Sequence, residues 1–196
     1  MVIISLRDKK KIETKNNIFE VTGRLFKEKG YDNTTVDEIT KEAGIGKGTF
    51  FNYFPTKEAL LQDFVKQKEE LVFDLVKDQL TRNISTKEKI KKILVLVAKS
   101  NEKDRELTKL FVFEHLKHYG HEERRSTSLN HLIQVMFEKG EKTEEFKISL
   151  DFKMAAGNIS AIYFYSLMEW LWSKNEYSLS DDISKKIDMI FEGITR

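Results

Sequence analysis

An all-α fold is predicted for this chain of 196 residues, and three observations predict it. There is one proline, Pro55, and only nine glycines. An all-β sandwich or barrel needs a turn signal about every ten residues, and the chain does not supply them. Apolar residues recur at helical spacing along most of the sequence, as in Ile183, Ile187, Ile190, Phe191 and Ile194. With 40% hydrophobic and 34% charged residues, a packed core under a solvated surface is expected rather than disorder.

About nine helices can be placed in order. Ile18, Phe19, Leu25 and Phe26, with charged residues between them, mark an amphipathic helix from about Lys9 to Lys29, closed by Gly30. Thr35 followed by Glu38 fits a capping box and opens a short helix over 36–43, with Val36, Ile39 and Ala43 on one face. Gly44 turns the chain, and a second short helix follows over 47–53, ended by Pro55. Thr56 caps a long helix reaching about Arg82, striped by Leu60, Leu61, Phe64, Leu71, Leu75 and Val76. Thr86 starts the next, with Ile90, Ile93, Leu94 and Val97 inward. Helices over 104–119 and 122–139 follow, the second ended by Gly140. A long apolar helix covers about 150–173, and the last covers about 180–195.

Composition narrows the function classes. Without cysteine there is no disulfide, thiolate metal site or cysteine nucleophile, which suits the cytoplasm. The opening MVIISLRDKKK has its apolar run before its basic residues, the reverse of a secretory signal. No run of about 18 apolar residues is present, so no membrane span is expected. Residues 1–57 hold 11 Lys/Arg and 8 Asp/Glu, net +3, while residues 58–196 hold 23 and 24, net −1. A mildly basic front hints at an anionic partner there, although chance gives the same pattern.

Two short helices joined by a tight glycine turn form a helix-turn-helix, whose second helix enters the DNA major groove. In the stretch GIGKGTFFNYF, residues 44–54, the glycines then separate in role. Gly44 turns the chain and Gly46 takes the N-cap of the second helix. Gly48 lies inside that helix, where glycine costs roughly 0.5–1 kcal/mol relative to alanine. Either the backbone closely approaches DNA there, or Gly48 packs against another helix. Lys47 offers a phosphate partner, and Thr49 and Asn52 can hydrogen-bond base edges from one face. Phe50 and Phe54, four apart, point inward.

Residues 18–61, IFEVTGRLFKEKGYDNTTVDEITKEAGIGKGTFFNYFPTKEALL, resemble the DNA-binding domain of TetR/AcrR-type transcriptional regulators. The features that agree are Leu25-Phe26, Gly30-Tyr31, Thr34-Thr35, Ala43-Gly44-Ile45, Gly48, Phe51-Asn52-Tyr53-Phe54 and Lys57. The resemblance implies an all-α homodimer, with a DNA-binding domain over residues 1–56 and a ligand-binding and dimerisation domain over 57–196. It places Thr35, Lys47, Tyr53 and Lys57 at phosphates of double-stranded DNA, and Gly46, Lys47, Thr49 and Asn52 near base edges. Two positions depart from the family pattern. Gly46 stands where serine is frequent, losing one hydrogen bond. Phe51 stands where tyrosine is common, leaving apolar contact with a thymine methyl or a sugar.

For the body, the resemblance implies a dimer built by the last two helices. Aromatic residues are dense there and allow an apolar cavity for a small apolar or amphipathic effector, lined by Phe111, His115, Phe137 and Tyr163. Ordinary core packing accounts for the same residues one by one. His115, His118 and His121 lie three apart, a spacing that does not assemble four metal ligands, so no metal and no cofactor is expected. No nucleophile elbow, phosphate loop or His-Glu-x-x-His motif points to an enzyme. The leading expectation is a repressor released by its effector from a palindromic operator. The alternative is a helical protein-interaction module without DNA binding. The long helix from Thr56 joins both parts, so a shift of its start would alter the spacing of two recognition helices, which must sit roughly 34–36 Å or a multiple apart.

Overall fold

The computed structural model describes residues 5–117, 129–141, 145–146 and 150–194; within its helices the side chains of 65, 68, 69, 71–76, 78–80, 114, 115, 117, 141 and 194 are not described. Among the described residues there are nine α-helices and no strand. The expected stripe positions Leu71, Leu75 and Val76, and the side chains of His115, His118 and His121, lie outside the described residues. The chain forms two compact units. One takes the chain up to Lys68 with Glu106–Lys117, and the other takes Glu69–Arg105 with the chain from His118 onward.

In the first unit, helix α1 spans Leu6–Lys29. It starts three residues before the expected Lys9 because the Ser5 hydroxyl accepts the Asp8 N–H at 3.1 Å. Gly30, at φ +80°, ends it. Helix α2, Val36–Glu42, opens on the expected Thr35–Glu38 capping box. Ala43 closes α2 and Gly44 turns at φ +66°, with Ile45 N–H donating to the Thr40 carbonyl at 3.0 Å. Helix α3 runs Lys47–Tyr53 behind Gly46. Helix α4, Lys57–Thr81, starts where the Thr56 hydroxyl accepts the Ala59 N–H at 3.0 Å.

Ile18, Phe19, Leu25, Ile39, Phe50, Phe54 and Leu60 form the core of this unit. Phe50 is fully buried, which stabilises by about 2 kcal/mol. Phe19 meets Phe54 edge-on at 5.4 Å and Phe64 at 4.5 Å. Aromatic side chains thus hold α3 against α1, as the spacing of Phe50 and Phe54 predicts.

The second unit is built from α5 (Thr86–Glu102), α7 (Leu129–Glu141), α8 (Phe152–Trp172) and α9 (Leu179–Ile194), with α6 (Arg105–Lys117) beginning at its edge. α5 packs on α9 and α7, and α8 packs on α7 and α9. α5 starts at Thr86 as expected, and Ser85 caps it through a capping box with Glu88. Thr86 is buried, and its N–H donates to Glu145 Oε2 at 2.6 Å. Gly140 does not end α7 but lies within it. A Cβ there would stand 2.3 Å from Thr86 Oγ1 and 2.7 Å from the Phe146 ring, so glycine serves close packing.

The apolar face of α9 is spent on its own core, since Leu179, Ile183, Ile187 and Phe191 are all buried. Phe137 stacks on Phe152 and Phe191 and meets Phe146 edge-on. Glu102, at the end of α5, accepts the Ser180 N–H at 2.9 Å at the start of α9. Arg105 donates to the Trp170 and Ser173 carbonyls at the end of α8. Each charge complements the helix terminus it meets.

Candidate nucleic-acid interface

α3 divides its residues between two faces. Phe50 and Phe54 point into the core, and Tyr53 packs partly against it. Lys47, Gly48, Thr49, Phe51 and Asn52 are exposed, as is Gly46 before them. Thr49 and Asn52 therefore share an outer face with Lys47, a donor and acceptor set suited to base edges beside a cation suited to phosphate.

Close packing does not explain the glycines of this face. A Cβ added at Gly46 or Gly48 meets no atom within 4 Å. The packing of Gly48 against another helix, one of the two explanations its position allows, is not found. Gly44 differs, because its left-handed backbone demands glycine whatever the space. Phe51 is 48% exposed, touching only the edge of Phe50 at 5.5 Å among the aromatic contacts of α3's outer side.

The charged residues around α3 are engaged. Lys47 Nζ lies 2.6 Å from Asp37 Oδ1, in an exposed pair worth at most about 1 kcal/mol. A phosphate can replace Asp37 at little cost. Thr35 is exposed, with its hydroxyl on Glu38 in the capping box. Lys57 Nζ donates to the carbonyls of Tyr31 and Thr34.

Side chains that the sequence did not single out brace the pair of short helices. Asn17 Nδ2 donates to the Ala43 carbonyl at 2.8 Å, fixing α1 to the turn. Arg24 pairs with Glu42, and Lys29 pairs with Glu38 at 2.9 Å, tying α1 to both ends of α2. The Lys29 ammonium, with the Thr35 N–H and hydroxyl, holds the Glu38 carboxyl down to about 2. Asp37, Asn17 and Glu58 are polar residues in helices, and no local pattern distinguishes them from solvated ones. The run Arg7, Lys9, Lys10 and Lys11 is exposed on the first turns of α1 as helix.

The four expected pocket residues are divided between the two units, Phe111 and His115 in the first and Phe137 and Tyr163 in the second, and the side chain of His115 lies outside the described residues. Phe111, part-buried, lies 6.3 Å from Phe64 in the first unit. Phe137 and Tyr163 are buried in the second unit, Phe137 in its aromatic stack and Tyr163 accepting from Asn101 Nδ2 at 2.9 Å. Burial pushes the Tyr163 phenol well above its ordinary range. Among the described residues no cluster of three or more His, Asp or Glu side chains is placed to hold a metal. No helix among them is long and apolar enough to cross a membrane.

α8 keeps an exposed apolar stripe at helical spacing, Met154, Ala161, Tyr165 and Trp172. Tyr165 is 62% and Trp172 48% exposed.

Comparison with known proteins agrees with this geometry. Residues 18–64 match the family described as bacterial regulatory proteins, tetR family. The chain is 27% identical over 190 residues to the HTH-type transcriptional regulator YuxN of Bacillus subtilis, covering 93% of this chain and 65% of the relative. It is 35% identical over 100 residues to the HTH-type transcriptional regulator PksA of the same species, covering 50% of this chain and 49% of that one. The chain thus spans about two-thirds and one-half of these two relatives. In fold it is similar to the FadR repressor of Thermus thermophilus solved in complex with lauroyl-CoA, with a TM-score of 0.67 and 24% identity, covering 93% of this chain and 95% of that one.

Proposed function

We propose that this chain, which belongs to the tetR family of bacterial regulatory proteins, is a sequence-specific DNA-binding transcriptional regulator that acts as a homodimer and leaves its operator when an effector binds. The observation that carries the reading is the outer face of α3. Gly46 and Gly48 there leave open space where a Cβ would stand, beside exposed Lys47, Thr49 and Asn52. A surface kept slim from outside fits a helix that a duplex must approach closely.

In this reading Lys47 meets a phosphate, Thr49 and Asn52 read base edges, and Phe51 makes apolar contact in the groove. Residues 1–56 form the DNA-binding domain, and residues 57–196 bind effector and the second copy. The second copy is bound through the last two helices, and the exposed stripe of α8 supports this; the buried face of α9 is already used within the chain and adds nothing to it. The effector is apolar or amphipathic. Lauroyl-CoA, bound by a protein of the same fold, is a first probe. An effector releases DNA only by binding the DNA-incompetent dimer more tightly.

The test is titration of the full chain onto duplexes drawn from a randomised pool, across a range of salt. Selective binding whose logarithm falls steeply and linearly with log salt is the expected result. Absence of any selected duplex, with the protein folded and dimeric, sinks the reading.

A further inference from the structure

The family resemblance assigns Lys57 to a DNA phosphate, yet the side chain is already committed. Its Nζ donates to the Tyr31 carbonyl at 2.9 Å and to the Thr34 carbonyl at 3.0 Å. It also stands 4.1 Å from the centroid of the Tyr31 ring. An ammonium has three donors, and two of them are used here on backbone acceptors. The next residue completes the grip, since Tyr31 Oη donates to Glu58 Oε1 at 3.1 Å.

The gripped loop is itself well fixed. Thr34 is buried, its hydroxyl donates to the Gly30 carbonyl at 2.8 Å, and its N–H donates to the Tyr31 carbonyl at 3.1 Å. Thr35, the N-cap of α2, follows immediately. At its other side, α4 is joined to α3 by only Phe54, Pro55 and Thr56. The first turn of α4 therefore holds both short helices, α3 through the chain and α2 through Lys57 and Glu58.

We infer that Lys57 is a positioning residue: its staple to the Tyr31 and Thr34 carbonyls sets the α2–α3 pair on the first turn of α4, and its effect on duplex binding comes through that placement rather than through a phosphate. The inference rests on the DNA-binding reading above. It explains why a shift of the start of α4 would carry the whole helix-turn-helix, since α2 cannot lag behind α3.

Two variants of the full chain test it. Lys57→Met keeps the side-chain volume and removes the ammonium from both carbonyls, leaving the Tyr31 carbonyl with the Thr34 N–H, while Tyr31→Phe removes only the hydroxyl that reaches Glu58. Each is measured for its thermal midpoint without DNA. Well below that midpoint, affinity is measured against salt for a duplex selected by the wild-type protein and for a scrambled duplex of equal length. In Lys57→Met the midpoint should fall. The ratio of selected to scrambled affinity should drop about tenfold, the scale of one charge-assisted hydrogen bond, with the salt slope on the scrambled duplex unchanged. Tyr31→Phe should move midpoint and ratio the same way by less. A salt slope lower by about 0.9 with the ratio unchanged makes Lys57 a phosphate contact and overturns the staple. A lower midpoint with ratio and slope both unchanged makes it a structural residue only, and overturns it too. If the wild-type protein itself selects no duplex, the DNA-binding reading falls, and the staple's role falls with it.

Discussion

Gly48 and Gly140 both lie inside helices, in α3 and α7, and their surroundings are opposite. A Cβ at Gly140 would press within 2.3 Å of Thr86 Oγ1 and 2.7 Å of the Phe146 ring. A Cβ at Gly48 would meet nothing within 4 Å. The chain's own packing explains Gly140 and does not explain Gly48, nor Gly157 and Gly193 in α8 and α9, where a Cβ would also meet nothing within 4 Å. The same division runs through the aromatics. Phe137 is stacked between Phe152 and Phe191, whereas Phe51 stands half in water.

The comparison breaks most visibly at Gly140. Gly140→Ala forces Thr86 or Phe146 aside, and overpacking of this kind costs roughly 1–3 kcal/mol. For a chain of this size each kcal/mol lowers the thermal midpoint by about 2–4 °C. Calorimetry on the variant should show that fall, with duplex affinity at low temperature unaffected. An unchanged midpoint would mean that the packing around Gly140 yields freely, and the contrast with Gly48 would lose its meaning.

Lys47→Ala probes the first unit from the side of charge. Its partner Asp37 is as exposed as itself, so unfolding should change by less than about 0.5 kcal/mol. Duplex affinity should weaken about equally for selected and scrambled sequences, and the salt slope should shrink by about 0.9. Lost stability together with an unaltered slope would move Lys47 from the interface to the scaffold.

Much of the first unit was legible in the sequence because its signals are local. The Thr35–Glu38 box, the turn at Gly44, the N-cap at Gly46 and the stop at Pro55 each act within a few residues, and α3 begins and ends as they predict. What was not legible depends on distant partners. Gly140 reads as a helix stop until Thr86 and Phe146 are seen against it. Lys57 looks like a free cation until its carbonyl acceptors, 26 and 23 residues away, come into view. The face of α9 was clear as a pattern, but periodicity does not say whether a second copy or the chain's own core covers it. Resemblance supplied the chemistry expected at the duplex and not the partners, such as Asp37, that those side chains keep without DNA.

Gly48→Ala sharpens the contrast by asking for opposite effects from one methyl group. With open space around the Cβ, alanine should leave the DNA-free protein as stable or up to about 0.5–1 kcal/mol more stable. Duplex affinity should nevertheless fall, because the methyl enlarges the surface that meets the groove. Denaturant unfolding and duplex titration on the same preparation give both numbers. A variant that is stabilised and binds as well as wild type would leave Gly48 without a functional reason.

The smallest effect is expected from acid, and it too belongs to the first unit. Glu38 is part-exposed, and the Lys29 ammonium, the Thr35 N–H and the Thr35 hydroxyl all favour its charged form, holding its pKa at about 2 against an ordinary 4.5. A carboxyl lowered on folding contributes stability that is complete above its ordinary value and is lost as pH falls toward the folded one. The contribution should therefore be intact at neutral pH and fade between about 4.5 and 2. Glu38→Gln keeps an acceptor at the third position of α2, so the capping geometry survives while the titration disappears. Thermal midpoints of the two proteins should differ at pH 7, with the wild type higher, and converge as pH is lowered through this window. A difference that stays constant with pH would assign the role of Glu38 to hydrogen-bond geometry alone. The brace that α1 gives α2, and through it α3, would then be independent of charge.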